Sequence, residues 1–186
     1  LSFLIPVYNP PEELFRACLD SCLKQEGIDL EIIAVNDGSK NNALDILHEY
    51  DQKFPGIFKI INQENKGIGP TRNECLRHAT GDYIWFMDSD DRVRPDSAKI
   101  LVDAIEKYDA DQVIFPFLIK DISENMEFPA WTEKKFEVIS KEYAFANFFR
   151  SFWRRVIKKS LIDKVNIQVP NSSMHEDWPV TLRWML

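Results

Sequence analysis

Cysteine is scarce: Cys18, Cys22 and Cys75 are the only three in 186 residues, an odd number with no second Cys or His pair beside them. That pattern excludes a disulfide-stapled scaffold and a structural zinc module, and it predicts core thiols in a reducing compartment. Long apolar runs are also missing. None approaches the roughly 20 residues that a membrane-spanning helix requires. Positive charge is in deficit, with 23 Lys and Arg against 30 Asp and Glu and a net charge of −7. A broad nucleic-acid-binding surface, which needs the opposite balance, is therefore not expected. There is no internal repeat and no low-complexity tract. The sequence opens at Leu1 rather than Met, so the lack of a leader carries no weight.

What is present is an ordinary globular composition, 45% apolar and 28% charged, in a chain long enough to bury a substantial core. Apolar runs ending in polar turns predict strands at 1–7, 31–35, 58–61, 82–87 and 112–119. Helical periodicity predicts helices at 12–24, 41–50, 71–79 and 95–108. On the first helix Cys18 and Cys22 fall on the apolar face, and on the second Leu44 and Leu47 or His48 point inward. This alternation defines an α/β protein with a mostly parallel central sheet and helices on both faces. Right-handed crossovers then gather the C-terminal ends of the strands at one edge, where open α/β sheets bind ligands.

The alternation stops after Ile119, which divides the chain into residues 1–119 and 120–186 of one overall domain. In the second part, 141–152 reads as an aromatic-rich helix. Residues 131–164 hold nine Lys or Arg against four Asp or Glu. Within them, 153–161 fits a basic amphipathic helix lying on the surface with Trp153 anchored in the core. An anionic membrane surface is its alternative partner.

Four polar clusters fall at the expected C-terminal edge: Tyr8-Asn9, Asp37-Gly38-Ser39, Lys66 with Arg72, and Asp88-Ser89-Asp90-Asp91. The last carries most information. Carboxylates crowded together repel one another, and a hard divalent cation with oxygen ligands would compensate them. An EF-hand is ruled out, since Val93 stands where that loop needs Gly and Lys99 where it needs Glu. Asp88 and Asp90 would share one side of an extended segment; the competing reading is a polar turn. Asp37 either accepts a hydrogen bond from a nucleobase edge or caps a helix. Tyr8 suits stacking on a base or a half-buried place in the core. Lys66 and Arg72 suit phosphate oxygens near a helix N-terminus, or a solvated surface. In Met174-His175-Glu176-Asp177-Trp178 the paired carboxylates suit general-base work, but taken alone Asp177 reads first as the cap of a helix starting near Pro179.

Taken in order, these stretches resemble the family 2 glycosyltransferases of GT-A (Rossmann-like) fold, especially bacterial enzymes of surface-polysaccharide synthesis. The matching residues are Ile5-Pro6-Val7-Tyr8-Asn9, Glu31 through Ser39, Asn65-Lys66-Gly67, Thr71-Arg72-Asn73, Gly81 through Asp91, and Glu176-Asp177-Trp178. The resemblance implies that Pro6, Tyr8, Asn9 and Asp37 hold the nucleobase and ribose. It places Lys66, Gly67, Arg72 and Ser89 around the donor, and Asp88 and Asp90 on Mn2+ or Mg2+. It makes Asp177 the base of an inverting transfer from a nucleotide-sugar, most simply a UDP-sugar, to a glycan or lipid-linked acceptor. Residues 1–119 would be the donor-binding half and 120–186 part of the acceptor side. The location implied is cytoplasmic, with peripheral contact at the inner face of the membrane as an option. The chain departs from the family pattern at Lys40-Asn41 and at Arg92, and it lacks the Gln-x-x-Arg-Trp motif of processive members. A non-catalytic sugar-nucleotide-binding module is one alternative. A sugar-1-phosphate nucleotidyltransferase is another, disfavoured because Tyr8-Asn9-Pro10-Pro11-Glu12 holds no glycine.

Overall fold

The computed structural model describes residues 1–115, 152, 154–166 and 168–171. Their elements run β1 (Ser2–Val7), α1 (Glu12–Leu23), β2 (Glu31–Asp37), α2 (Ala43–Lys53), β3 (Phe58–Gln63), α3 (Ile68–His78), β4 (Tyr83–Phe86), α4 (Ser97–Tyr108), β5 (Gln112–Ile114), β6 (Arg155–Lys158) and α5 (Lys159–Val165). The strands form one sheet in the order β3-β2-β1-β4-β6-β5. β1 pairs in parallel with β2 and β4, and β2 with β3, whereas β6 runs antiparallel to both β4 and β5.

Alternation along the strands separates two cores. Phe3, Ile5 and Val7 of β1 join Ile32 and Ala34 of β2 on one face, under Phe15 and Leu19 of α1, Ile46 and Leu47 of α2, and Leu101 and Ile105 of α4. Leu4, Ile33 and Val35 face the other way, against Cys75 of α3 and Ile162 of α5. The expected α/β architecture, with helices on both faces of a mostly parallel sheet, is thus the one observed. All three cysteines are buried free thiols. On α2, Leu47 is buried and His48 is exposed.

Three local expectations are corrected. The third helix begins at Ile68, not at residue 71, so Pro70 sits in its first turn. Proline is tolerated there because its missing N–H has no intrahelical acceptor to lose. Residues 88–91 are not extended: the Asp91 N–H donates to the Asp88 carbonyl at 3.1 Å, closing a β-turn centred on Ser89 and Asp90. The polar-turn reading holds for the backbone, driven by the turn preference of Asp and Ser. Finally, residues 155–158 form a strand rather than part of a basic helix. β4 offers an unpaired edge, and pairing its backbone groups outweighs the helical spacing of the side chains. Arg155 is fully buried and Arg154 is 9% exposed, which removes half of the cationic face the helix would have carried. Of the helix expected at 141–152 only residue 152 is described, and the segment 116–119 of the fifth strand lies outside the described residues.

Candidate active site

The strand order β3-β2-β1-β4 sets the four polar clusters side by side at one sheet edge. Asp37 ends β2, opposite Gln63 at the end of β3. Its side chain turns toward the entry of α3. Oδ1 accepts the Lys66 N–H at 2.8 Å and the Gln63 Nε2 amide at 2.7 Å, and Oδ2 accepts the Gly67 N–H at 2.9 Å. Helix N-termini favour negative charge, and here the chain supplies it from a residue about 30 positions earlier. Asp37 is 3% exposed. Gly67 holds a φ of 89°, a backbone state that suits glycine. The Thr71 hydroxyl donates to the Gly67 carbonyl at 2.7 Å and accepts from Gln63 Nε2 at 3.2 Å, closing the network.

Next to it, Tyr8 and Asn9 follow β1. Tyr8 is 55% exposed, which satisfies the first requirement for stacking on a ligand and excludes the half-buried core alternative. Asn9 is bound to the β2 turn on both sides: its N–H donates to Ser39 Oγ at 3.0 Å, and its Oδ1 accepts the Lys40 N–H at 2.6 Å. Pro6 is buried in β1, aligned with Val35. Lys66 is exposed at the lip.

Arg72 is not a solvated surface cation. It is 6% exposed, donates from Nη2 to Asp88 Oδ1 at 3.0 Å, and lies over the Phe152 ring at 5.0 Å. The Asp88 side chain is 34% exposed, so the pair sits at the boundary of core and solvent. Ser89 is half-buried and Asp90 exposed at the crest of the turn. The Cys18 thiol donates to the Asp88 carbonyl from below at 3.5 Å. Partial withdrawal from water, then repulsion from Asp88 and Asp90, push Asp91 up to about 6.

Two supporting residues escaped the sequence reading. Ser21 Oγ accepts the Val93 N–H at 3.1 Å, and Gln25 both donates to the Arg94 carbonyl at 2.7 Å and accepts the Ala98 N–H at 2.9 Å. Together they anchor the segment between the acidic turn and α4. The available signal was two polar residues next to, and one turn beyond, the buried stripe Cys18–Cys22.

Among the described residues, no three His, Cys, Asp or Glu side chains converge into a metal cage. The donor set does fit a less complete site. Asp88 and Asp90 are hard oxygen donors on one turn, with Asp88 paired to Arg72 at 3.0 Å and Asp90 exposed at the crest. Divalent ions commonly bind through one or two carboxylates and complete their shell with water and substrate phosphates. Asp177, with His175 and Glu176, lies outside the described residues.

The mostly parallel sheet, its antiparallel strand β6 and the acidic turn after β4 are arranged as in the solved GT-A fold. Residues 2–165 match the profile of glycosyl transferase family 2, and the chain belongs to that family, carrying its glycosyltransferase domain. It is 46% identical over 96 residues to EpsH of Bacillus subtilis (strain 168), a protein named as a glycosyltransferase, covering 52% of this chain and 27% of that one. In fold it is similar to S. aureus TarS 1–349 solved with UDP-GlcNAc, at a TM-score of 0.80 and 22% identity, covering 99% of this chain and 52% of that one. It is also similar to the mannosyltransferase PcManGT of Pyrobaculum calidifontis solved with GDP-Man and Mn2+, at a TM-score of 0.64 and 18% identity, covering 97% and 50%. The chain thus spans about a quarter of EpsH and about half of each solved relative. Among the described residues, no helix is long and apolar enough to cross a membrane.

Proposed function

We propose that this domain catalyses inverting, metal-assisted transfer of a sugar from a nucleotide-sugar, most simply a UDP-sugar, to a hydroxyl of a glycan or lipid-linked acceptor in surface-polysaccharide synthesis. The supporting observation is the layout of the edge. The Asp37 network at the end of β2 and the Arg72–Asp88 pair beyond β4 flank the exposed Tyr8 after β1. Two strand spacings, roughly 10 Å, separate the flanking clusters. Relatives of this fold have been solved with UDP-GlcNAc and with GDP-Man and Mn2+. Family membership favours glycosyl transfer over the nucleotidyltransferase alternative.

In this proposal Tyr8 stacks on the base while Pro6, Asn9 and Asp37 frame the nucleoside. Asp37 has an oxygen, Oδ2, that accepts one bond among the described residues and can accept another from a base imide. Lys66, Gly67 and Ser89 line the donor, and Lys66 and Arg72 offset diphosphate charge. Asp88 and Asp90 would hold Mn2+ or Mg2+, which supplies Lewis-acid stabilisation of the departing diphosphate when bound. Asp177 takes the acceptor hydroxyl proton as the acceptor oxygen bonds to the anomeric carbon. The bond from that carbon to the phosphate oxygen breaks, and its electron pair leaves with the nucleotide diphosphate. Attack opposite the leaving group inverts the anomeric centre, as in inverting hydrolysis.

Calorimetric titration of UDP with and without Mn2+ tests the acidic turn. Mn2+ should tighten binding by about tenfold or more in the parent, equivalent to about 1.4 kcal/mol, and Asp90→Asn should remove that gain. Equal affinities with and without Mn2+ in the parent would end the metal assignment. For the base, Asp177→Asn should leave UDP affinity within about twofold and lower turnover by about 100-fold or more, within the range of general-base contributions. A parental turnover rate would remove Asp177 from its role.

A further inference from the structure

One contact of α3 belongs to none of the roles above. The Asn73 side chain reaches a residue 96 positions later and grips it twice. Its Nδ2 donates to the Val169 carbonyl at 2.9 Å, and its Oδ1 accepts the Val169 N–H at 2.8 Å. An amide side chain meeting both backbone groups of one residue imitates a strand partner, and the complementary donor and acceptor fix its orientation. Val169 is 2% exposed and packs into the core with Cys75 and Phe152.

The two residues after Val169 lie directly on the start of α3. A Cβ on Gly69 would stand 2.0 Å from the Pro170 carbonyl oxygen, and one on Gly67 2.6 Å from Asn171 Oδ1. The backbone contact at Gly69 cannot be relieved by turning a side chain. Glycine at position 69 therefore reflects close approach of another backbone rather than an unusual dihedral. The seat and the clamp act on one stretch, 168–171, which lies against α3 and the Gly67 turn that Asp37 also holds. Asp177 follows Asn171 by six residues, at most roughly 20 Å of chain.

We infer that Asn73 is a positioning residue: clamping Val169, over the glycine seat at position 69, it fixes the origin of the segment that carries Asp177 relative to the donor site. This rests on the assignment of Asp177 as base. Asn73 touches neither donor nor acceptor. It sets where Val169 to Asn171 lie against α3, six residues before Asp177, and small displacements of a reacting group cost rate rather than donor affinity.

The test uses the whole chain, with UDP and a panel of UDP-glucose, UDP-galactose and UDP-GlcNAc as probes. UDP affinity, kcat and KM for UDP release, and amide exchange at Val169 are measured together. Asn73→Ala should speed Val169 exchange by about tenfold or more and lower kcat by about tenfold or more, with UDP affinity and donor KM within about twofold. Asn73→Asp keeps the acceptor for the Val169 N–H and loses the donor, so its kcat should fall between Ala and the parent. Gly69→Ala, which leaves Asn73 untouched, should also lower kcat. Two results overturn the inference: parental kcat in Asn73→Ala, or parallel losses in kcat, KM and UDP affinity, which mark a merely structural role. Asp177→Asn separates the two assignments. If it turns over donor as the parent does, the base assignment fails; if it does not while Asn73→Ala does, the clamp inference alone fails.

Discussion

Asp37 ends β2 yet holds a loop that follows β3. Its carboxylate accepts three hydrogen bonds from Gln63, Lys66 and Gly67, all within a nearly closed environment. Removing it leaves two backbone N–H groups at the α3 entry without their acceptor, a cost that exceeds the net worth of an ordinary exposed bond. Asp37→Ala should lower the unfolding free energy by about 2–4 kcal/mol, and Asp37→Asn by less, since one oxygen still accepts; urea titration reads both. The sequence offered nucleobase contact and helix capping for this residue as equals. The structure shows no helix cap here: the carboxylate ties down the loop just before α3, at Lys66 and Gly67, and α3 carries no side-chain cap hydrogen bond. A local sequence signal cannot name a partner about 30 positions away, which is why the choice stayed open. Tyr8 stayed open as well, between stacking and a half-buried place in the core, and only the structure shows it exposed beyond the strand end.

At the scale of elements, the edge opposite the active site is tied by Glu31. Its Oε1 accepts from Ser2 Oγ at 2.6 Å, the Thr80 N–H at 2.7 Å, Thr80 Oγ1 at 2.9 Å and the Gly81 N–H at 2.9 Å, joining β1, β2 and the loop before β4. Burial alone would raise this carboxyl, but the donors from Ser2, Thr80 and Gly81 outweigh it and hold the group below its ordinary 4.5. A folded-state pKa below the unfolded one contributes stability above the ordinary value, and that contribution is lost as pH falls through the folded pKa. Acidification from about pH 5 downward should therefore destabilise the parent more than Glu31→Gln, with melting temperature against pH as the measurement. The strands β1 to β4 and their helices were legible because each is local, apolar and bounded by turn residues. β6 was not. Its four residues carry a helical spacing of apolar side chains, and only the open edge of β4, supplied by residues some 70 positions earlier, makes a strand the better solution.

For the whole molecule, the charge map changes once β6 is placed. Arg154 and Arg155 are withdrawn into the interior, Lys158 pairs with Asp109 at 2.9 Å, and Lys159 pairs with Asp163 at 2.8 Å. A membrane-facing cationic stripe at 154–159 loses its support. Replacing Lys158 and Lys159 together by Gln should leave co-sedimentation with anionic vesicles at the parent's level; a marked drop would restore the idea of a lipid-facing patch there. The four-cluster edge was legible because parallel topology brings every strand's C-terminal end to one side, so the site could be assembled from turns alone. The glycine seat under residues 168–171 was not, because nothing in Lys66-Gly67-Ile68-Gly69 says which backbone will lie against it.

The late arrival of β6 also bears on how this protein is made. Among the described residues, β5 pairs only with β6, and β6 also covers the outer edge of β4. The 40 residues between Ile114 and Arg155 must leave the ribosome first, which takes about 2–8 s at cellular elongation rates, whereas strands pair in microseconds once both are present. For those seconds a nascent half-sheet presents Tyr83, Ile84 and Phe86 to any passing strand, and it is translation rather than strand pairing that decides how long the growing chain needs protection.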